Sequence, residues 1–140
     1  MCFQQVAKEI KWGTLKSPKR AIEKMIRAYR GNASQLLDIC RQSIVFDTVS
    51  ELLACVKIIV QDPSVVVIRI KNRLNPMYNG VETAGYRDVS LNIRLNNGMT
   101  RDLGVETHVC EVKLLLKSFA LLKSDNGHGR YVRWRNIRGE

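Results

Sequence analysis

One stretch of eight residues restricts the fold more than any other part of this chain. From 88 to 95, Asp88, Ser90, Asn92 and Arg94 alternate with Val89, Leu91, Ile93 and Leu95. Alternation with period two puts every apolar side chain on one face of a strand and every polar one on the other. A single strand cannot bury such a face, so the pattern requires neighbouring strands and a covering layer.

Candidates for both lie along the chain. Ser17-Pro18 is an N-cap followed by proline at the first helical position. Ala21, Ile22, Met25, Ile26 and Tyr29 then share one helical face, and Gly31-Asn32 stops the helix. Ile44-Val45-Phe46 is a short β-prone run within 36–46. Thr48 and Glu51 form a capping box that opens a helix over 49–60. After Pro63, the run Val65-Val66-Val67-Ile68-Arg69-Ile70 reads as a buried strand. Residues 72–85 are rich in Asn, Gly and Pro and form a loop of functional length. Asn97-Gly98 is a hairpin-turn signal, which makes the strand over 89–95 an antiparallel neighbour of a returning strand over 105–113. Val105, Thr107, Val109 and Glu111 would share one face of that strand, with His108, Cys110 and Val112 on the other. Leu114, Leu115, Phe119 and Leu122 predict a last helix ending by Lys123. This order yields a mixed sheet of about four strands with helices packed on it, in one domain spanning 1–140.

With 45% apolar residues the chain can build a core. No apolar run approaches the ~20 residues of a membrane helix. Residues 1–12 carry Lys8, Glu9 and Lys11 rather than a leader-type apolar stretch, so no membrane partner is expected. Cys2, Cys40, Cys55 and Cys110 form no CxxC pair, and the last three sit among apolar neighbours. Free, buried thiols in a reducing, cytoplasmic setting account for them better than zinc or a disulfide framework. The net charge is +10, from 23 Lys+Arg against 13 Asp+Glu. That surplus suits polyanionic partners such as nucleotides, RNA or acidic membranes, and a solubilising surface accounts for it equally well.

Two acidic residues are framed by apolar, strand-like neighbours: Asp38 in Leu36-Leu37-Asp38-Ile39 and Glu111 in Val109-Cys110-Glu111-Val112. A carboxylate in such a place is costly unless it is paired or bound to a metal. Brought together from neighbouring strands, the two would suit Mg²⁺, which takes one or two carboxylates plus substrate phosphates. Ion pairing of each with an arginine explains the same residues. Lys16, Lys19, Arg20 and Lys24 are spaced at i, i+3, i+4 and i+8 and share roughly one helical face, where they could clamp a triphosphate or form a solvated surface. Tyr86, after Gly85 at the end of the long loop, is placed to stack on a base or to anchor the core edge. No Walker or Rossmann glycine motif is present, and His108 and His128 lack patterned partners for a nucleophilic triad.

Several segments together resemble the synthetase domain of the RelA/SpoT family of alarmone enzymes. Lys16-Ser17-Pro18-Lys19-Arg20-Ala21-Ile22-Glu23-Lys24 is similar to that family's opening helix, and 38–47 to its strand of the form D-x-x-G-x-R-I-V. Gly85-Tyr86-Arg87-Asp88-Val89-Ser90 is similar to G-Y-x-S-x-H, Cys110-Glu111-Val112-Lys113 to x-E-V-Q, and Gly127-His128-Gly129-Arg130-Tyr131 to G-H-x-x-Y. The resemblance implies an α+β, nucleotidyltransferase-like mixed sheet of four or five strands flanked by helices. It also implies transfer of pyrophosphate from ATP to the ribose 3′-hydroxyl of GDP or GTP with Mg²⁺, or, as in toxin members, action on adenine nucleotides or tRNA 3′ ends. By position, Asp38 would bind Mg²⁺, and Glu111 would bind it or activate the acceptor hydroxyl. Lys16 and Lys24 would hold ATP phosphates, and Tyr86 would stack on the acceptor base. Thr14, Arg20, Ser43, Ala84, Ser90 and Lys113 stand where the family has Arg, Ser, Arg, Asn, His and Gln, which leaves the acceptor open. A binding module without catalysis, holding RNA or nucleotides on the same sheet, is the alternative from another class.

Overall fold

The computed structural model describes residues 9–11, 13–83 and 85–122, together with Arg133 and Ile137. Five strands form one mixed sheet: β1 (Glu9–Lys11), β2 (Arg41–Phe46), β3 (Val65–Asn72), β4 (Val89–Leu95) and β5 (Cys110–Leu116). Their spatial order is β1-β2-β5-β4-β3. Strands β2 and β5 run parallel, and every other neighbouring pair is antiparallel. The architecture is α+β, with helices α1 (Pro18–Tyr29), α2 (Val49–Gln61), α3 (Gly98–Asp102) and α4 (Lys117–Leu122) flanking the sheet.

The core lies on one face. Register places Ile44 of β2 beside Leu114 of β5, Leu114 beside Val89 of β4, and Leu91 beside Val112. These residues, with Phe46 and Ile93, close against Leu52 and Cys55 of α2. The Thr48 hydroxyl accepts from the Glu51 N–H at 3.2 Å while Glu51 Oε2 accepts from the Thr48 N–H at 3.1 Å, so the capping box sets where α2 starts. Helix α1 begins at Ser17, as its N-cap and proline require, and ends in a left-handed Arg30. Its apolar stripe is not buried: Ile22 and Ile26 face outward, and no residue of α1 is fully covered.

Three expectations fail in instructive ways. Asn97-Gly98 is not a hairpin turn. Asn97 instead caps α3, its Oδ1 accepting from the Thr100 N–H at 3.0 Å, so a 96–109 connection rather than a tight turn joins β4 to the antiparallel β5. Asparagine serves both roles, and the helical Met99-Thr100-Arg101 that follows decides between them. The returning strand therefore starts at Cys110, not at 105, and Val105 and Thr107 have no place in it. It also runs on through Leu114 and Leu115, both buried in β5, so only Lys117–Leu122 is helical. Finally, β3 is an edge strand and is not fully buried, Ile68 and Ile70 being 47% and 48% exposed.

The register of β3 shifts between Val67 and Arg69: Val67 faces Ile93, whereas Arg69 faces Asn92 and Lys71 faces Ser90. Ile68 is the extra residue of a bulge. Unbroken pairing from Val67 would put Arg69 across from Leu91 on the core face. The bulge turns Arg69 and Lys71 onto the opposite, polar face.

Candidate functional site

The polar face gathers the candidate residues. Across β2, β5, β4 and β3 the register lines up Arg41, Glu111, Asn92 and Arg69 in one row and Ser43, Lys113, Ser90 and Lys71 in the next. Ser90 and Asn92 are 3% and 2% exposed, and each is satisfied across the strands. The Ser90 hydroxyl donates to Glu111 Oε1 at 3.0 Å, and Asn92 Oδ1 accepts from Arg69 Nε and Nη2 at 3.0 and 2.8 Å. Lys113 Nζ lies 3.5 Å from Glu111 Oε2.

Asp38 sits beside this face but not in a strand, contrary to expectation; it belongs to the bent approach to β2, three residues before Arg41. The approach is anchored to β5 by the Glu111 N–H, which donates to the Cys40 carbonyl at 2.9 Å. It is anchored to the lead-in of α1 by the Lys16 N–H, which donates to the Ile39 carbonyl at 3.0 Å. Gly13 makes that lead-in feasible, since a Cβ there would fall 2.2 Å from the Arg41 carbonyl oxygen.

Lys16 and Lys24 converge on a single atom, Asp38 Oδ2, with Lys16 in direct hydrogen-bond contact and Lys24 at 3.0 Å. The ammonium of Lys24 also lies 5.3 Å from the centre of the Tyr29 ring. Burial pushes the Asp38 carboxyl up, but the hydrogen bonds and charges of the two lysines outweigh it and hold it below the usual range. Burial pulls both lysines down. Lys24 ends raised through its hydrogen bond to Asp38, whereas Lys16, facing Lys24 and Arg41 as well, ends lowered. One carboxylate thus serves two ammonium groups, leaving an excess positive charge in a partly dried site. Lys19 and Arg20 are not part of the cluster: both are exposed, and Arg20 pairs with Glu23 at 3.8 Å. The i, i+3, i+4 spacing misled because Lys16 precedes the helix and reaches Asp38 from the chain before the cap.

The long loop is built around Asp88 and Arg87. Asp88 is 0% exposed, and its Oδ1 lies 2.5 Å from Arg73 Nη1, while its carbonyl accepts from the Arg73 N–H at 2.9 Å. The Arg87 guanidinium donates to the carbonyls of Arg73, Asn75 and Tyr78 at 3.0, 2.8 and 3.2 Å, stitching the loop to its own base. Gly85 supplies the left-handed turn, φ 81°, that brings the chain back into β4. Tyr86 is half-buried beside Asp88, and burial followed by the Asp88 carboxylate drives its phenol well above the usual range.

Arg69, Lys71, Arg73 and Asp88 are the site residues that pattern reading missed. Lys71 is pulled down by burial and by Arg69, Arg73 and Lys24, with Glu111 acting the other way, so α1, β3 and β5 share one electrostatic field. The available signal was Arg69-x-Lys71-x-Arg73, three cations at strand spacing. Gly127-His128-Gly129-Arg130-Tyr131 lies outside the described residues.

No family model and no curated protein matches this sequence. Solved structures do match, and they define a class: the chain has the nucleotidyltransferase-like fold of the alarmone synthetases. A GTP pyrophosphokinase family protein from Streptococcus pneumoniae aligns over 95% of this chain at a TM-score of 0.73 and 13% identity, and 65% of its own length is covered. Small alarmone synthetase 1 from Bacillus subtilis, bound to its product pppGpp, aligns over 93% of this chain and 69% of its own at 0.70 and 13%. Small alarmone synthetase 2 from the same organism aligns over 93% and 65% at 0.69 and 17%. The chain therefore spans about two thirds of the length of these proteins. Among the described residues, no helix is long and apolar enough to cross a membrane.

Proposed function

We propose that this chain is an ATP-dependent nucleotide pyrophosphokinase, moving the β,γ-pyrophosphate of Mg·ATP to the ribose 3′-hydroxyl of an acceptor nucleotide. The observation that carries this reading is the arrangement at Asp38: two lysines on one carboxylate oxygen, with the excess cation facing a polar sheet that also presents Lys71 and Glu111. A site charged in that way favours a polyphosphate, and fixed cations offset the charge that phosphoryl transfer spreads over the phosphate oxygens. The likeness to alarmone synthetases supports the same reading through the fold.

The residues present fit a magnesium ion. Asp38 Oδ1 is buried with no hydrogen-bond partner among the described residues, and Glu111 adds hard oxygens across the Cys40 contact. Two carboxylates suit an ion that completes its shell with water and substrate phosphates. Asp38 and Glu111 would hold it, and when bound it supplies charge neutralisation of the phosphates. The chain's own residues do the rest. Lys16, Lys24 and Lys71 bind and orient the triphosphate. Glu111, held by Ser90 and Lys113, takes the proton of the acceptor 3′-hydroxyl as it attacks the β-phosphorus and AMP leaves. Tyr86, at the end of the pinned loop, borders the acceptor base.

The test is to incubate the chain with labelled ATP, Mg²⁺ and a panel of nucleotides and tRNA. AMP release matched by a pyrophosphorylated product is the expected result, and the acceptor that supports it names the substrate. Tight polyanion binding with no AMP release for any acceptor would replace this reading with the non-catalytic one.

A further inference from the structure

Two cysteines flank the site carboxylates, Cys40 just before β2 and Cys110 at the start of β5. Arg41 and Glu111 are paired in the parallel β2–β5 ladder, and the Glu111 N–H donates to the Cys40 carbonyl at 2.9 Å. One residue back along each segment, Cys40 in the bend before β2 lies beside Cys110, the first residue of β5. Both are free thiols, partly buried, with Asp38 two residues before Cys40 and Glu111 directly after Cys110. Neighbouring strands stand about 4.7–4.9 Å apart, which falls within the roughly 4.4–6.8 Å Cα separation a disulfide spans.

We propose that Cys40 and Cys110 are an oxidisable thiol pair, closing reversibly into a disulfide that locks the Asp38 and Glu111 segments together and shuts the nucleotide site. The oxidant is a peroxide. The Cys40 sulfur attacks one peroxide oxygen, the O–O bond breaks, and water leaves a sulfenic acid. The Cys110 thiol then attacks that sulfur, the S–O bond breaks, and a second water departs. Two thiols lose two electrons and two protons, and the peroxide becomes two waters. The two thiols hydrogen-bond to each other, which sets their sulfurs side by side for the bond-closing step. Cys55 is the internal contrast: it lies on the core-facing side of α2, fully buried and shielded from oxidant.

The control over nucleotide binding rests on the proposed function; the disulfide does not. The full chain, with Cys2→Ser to prevent cross-linking between chains, would be treated with hydrogen peroxide, alkylated and mapped by mass spectrometry without reduction. Binding of a non-hydrolysable ATP analogue with Mg²⁺ would be measured before and after dithiothreitol. The expected result is a Cys40–Cys110 peptide and analogue affinity at least 10-fold weaker, restored by dithiothreitol, with no response in Cys40→Ser. Both thiols still alkylated in a folded, peroxide-treated chain would overturn the proposal, and a disulfide that leaves affinity unchanged would overturn the control assigned to it. A reduced chain that binds or turns over no nucleotide counts against the function alone, because the peptide map still decides the pair.

Discussion

On one face of the sheet, Ile44, Phe46, Leu91 and Leu114 close against Leu52 and Cys55; on the other, Glu111, Ser90, Asn92 and Arg69 hold one another across three strands. Both faces bury side chains, but through different physics. The apolar face gains from every atom removed from water and tolerates any partner of suitable volume. The polar face gains nothing from burial alone, and each of its groups needs a specific donor or acceptor at a specific register. A polar surface kept dry in this way is expensive for a fold, and the proposed nucleotide site lies on it.

The contrast can be broken, starting with the largest effect. Phe46→Ala removes a fully buried ring from the core and should cost about 3–5 kcal/mol in denaturant unfolding. It should leave no folded chain with altered nucleotide selectivity. Asp88→Ala should cost about 3 kcal/mol, because it strands Arg73 beside a buried hole, with partial relief as Arg73 turns to solvent. It should also raise KM for the acceptor more than for ATP, since it frees the loop that carries Tyr86.

Glu111→Gln sharpens the comparison by separating stability from activity. The amide is nearly isosteric and still accepts from Ser90, so unfolding should be unchanged within about 0.5 kcal/mol. Turnover should fall roughly 10²-fold, the scale of a lost acid–base group. Equal turnover in parent and variant would remove Glu111 from the reaction.

The smallest effect is a pH dependence. The folded-state Asp38 carboxyl lies below its ordinary value of 3.8, so its contribution to stability is complete above 3.8 and is lost as pH falls through the lower, folded value. Lys24 is raised above 10.5, so its contribution is present below 10.5 and disappears as pH climbs past the folded value. Thermal midpoints of the parent should drop faster than those of Asp38→Asn below pH 3.8, and parallel acid limbs would show that the lysines do not hold Asp38 in solution.

The two faces also differ in how far the sequence discloses them. Hydrophobic alternation at Val89, Leu91 and Ile93 located β4, and the caps at Ser17 and Thr48 located α1 and α2, because each is a local rule acting over a few residues. Asp38, Glu111, Lys16 and Lys24 were legible as candidates, the carboxylates because charge among apolar neighbours needs an explanation and the lysines because they share a motif. Asp88 was read only as the polar partner of Val89; nothing nearby shows that a loop folds back to bury it against Arg73. Asn97 supplied a turn signal and a cap signal at once, and only the length of the connection separates them.

Ile68 has a consequence that composition does not show. It is the residue of β3 that the ladder skips, and the skip keeps Arg69 and Lys71 on the polar side of the sheet. Deleting Ile68 would straighten the strand and still leave Arg69 across from Asn92 and Lys71 across from Ser90, whereas flattening the bulge with Ile68 kept would turn both cations to the core face. The charged side of this edge thus rests on a bulge that takes up one residue more than the ladder counts. A substitution changes one side chain, whereas an insertion or deletion in β3 that no bulge takes up would invert the register of the strand beyond it.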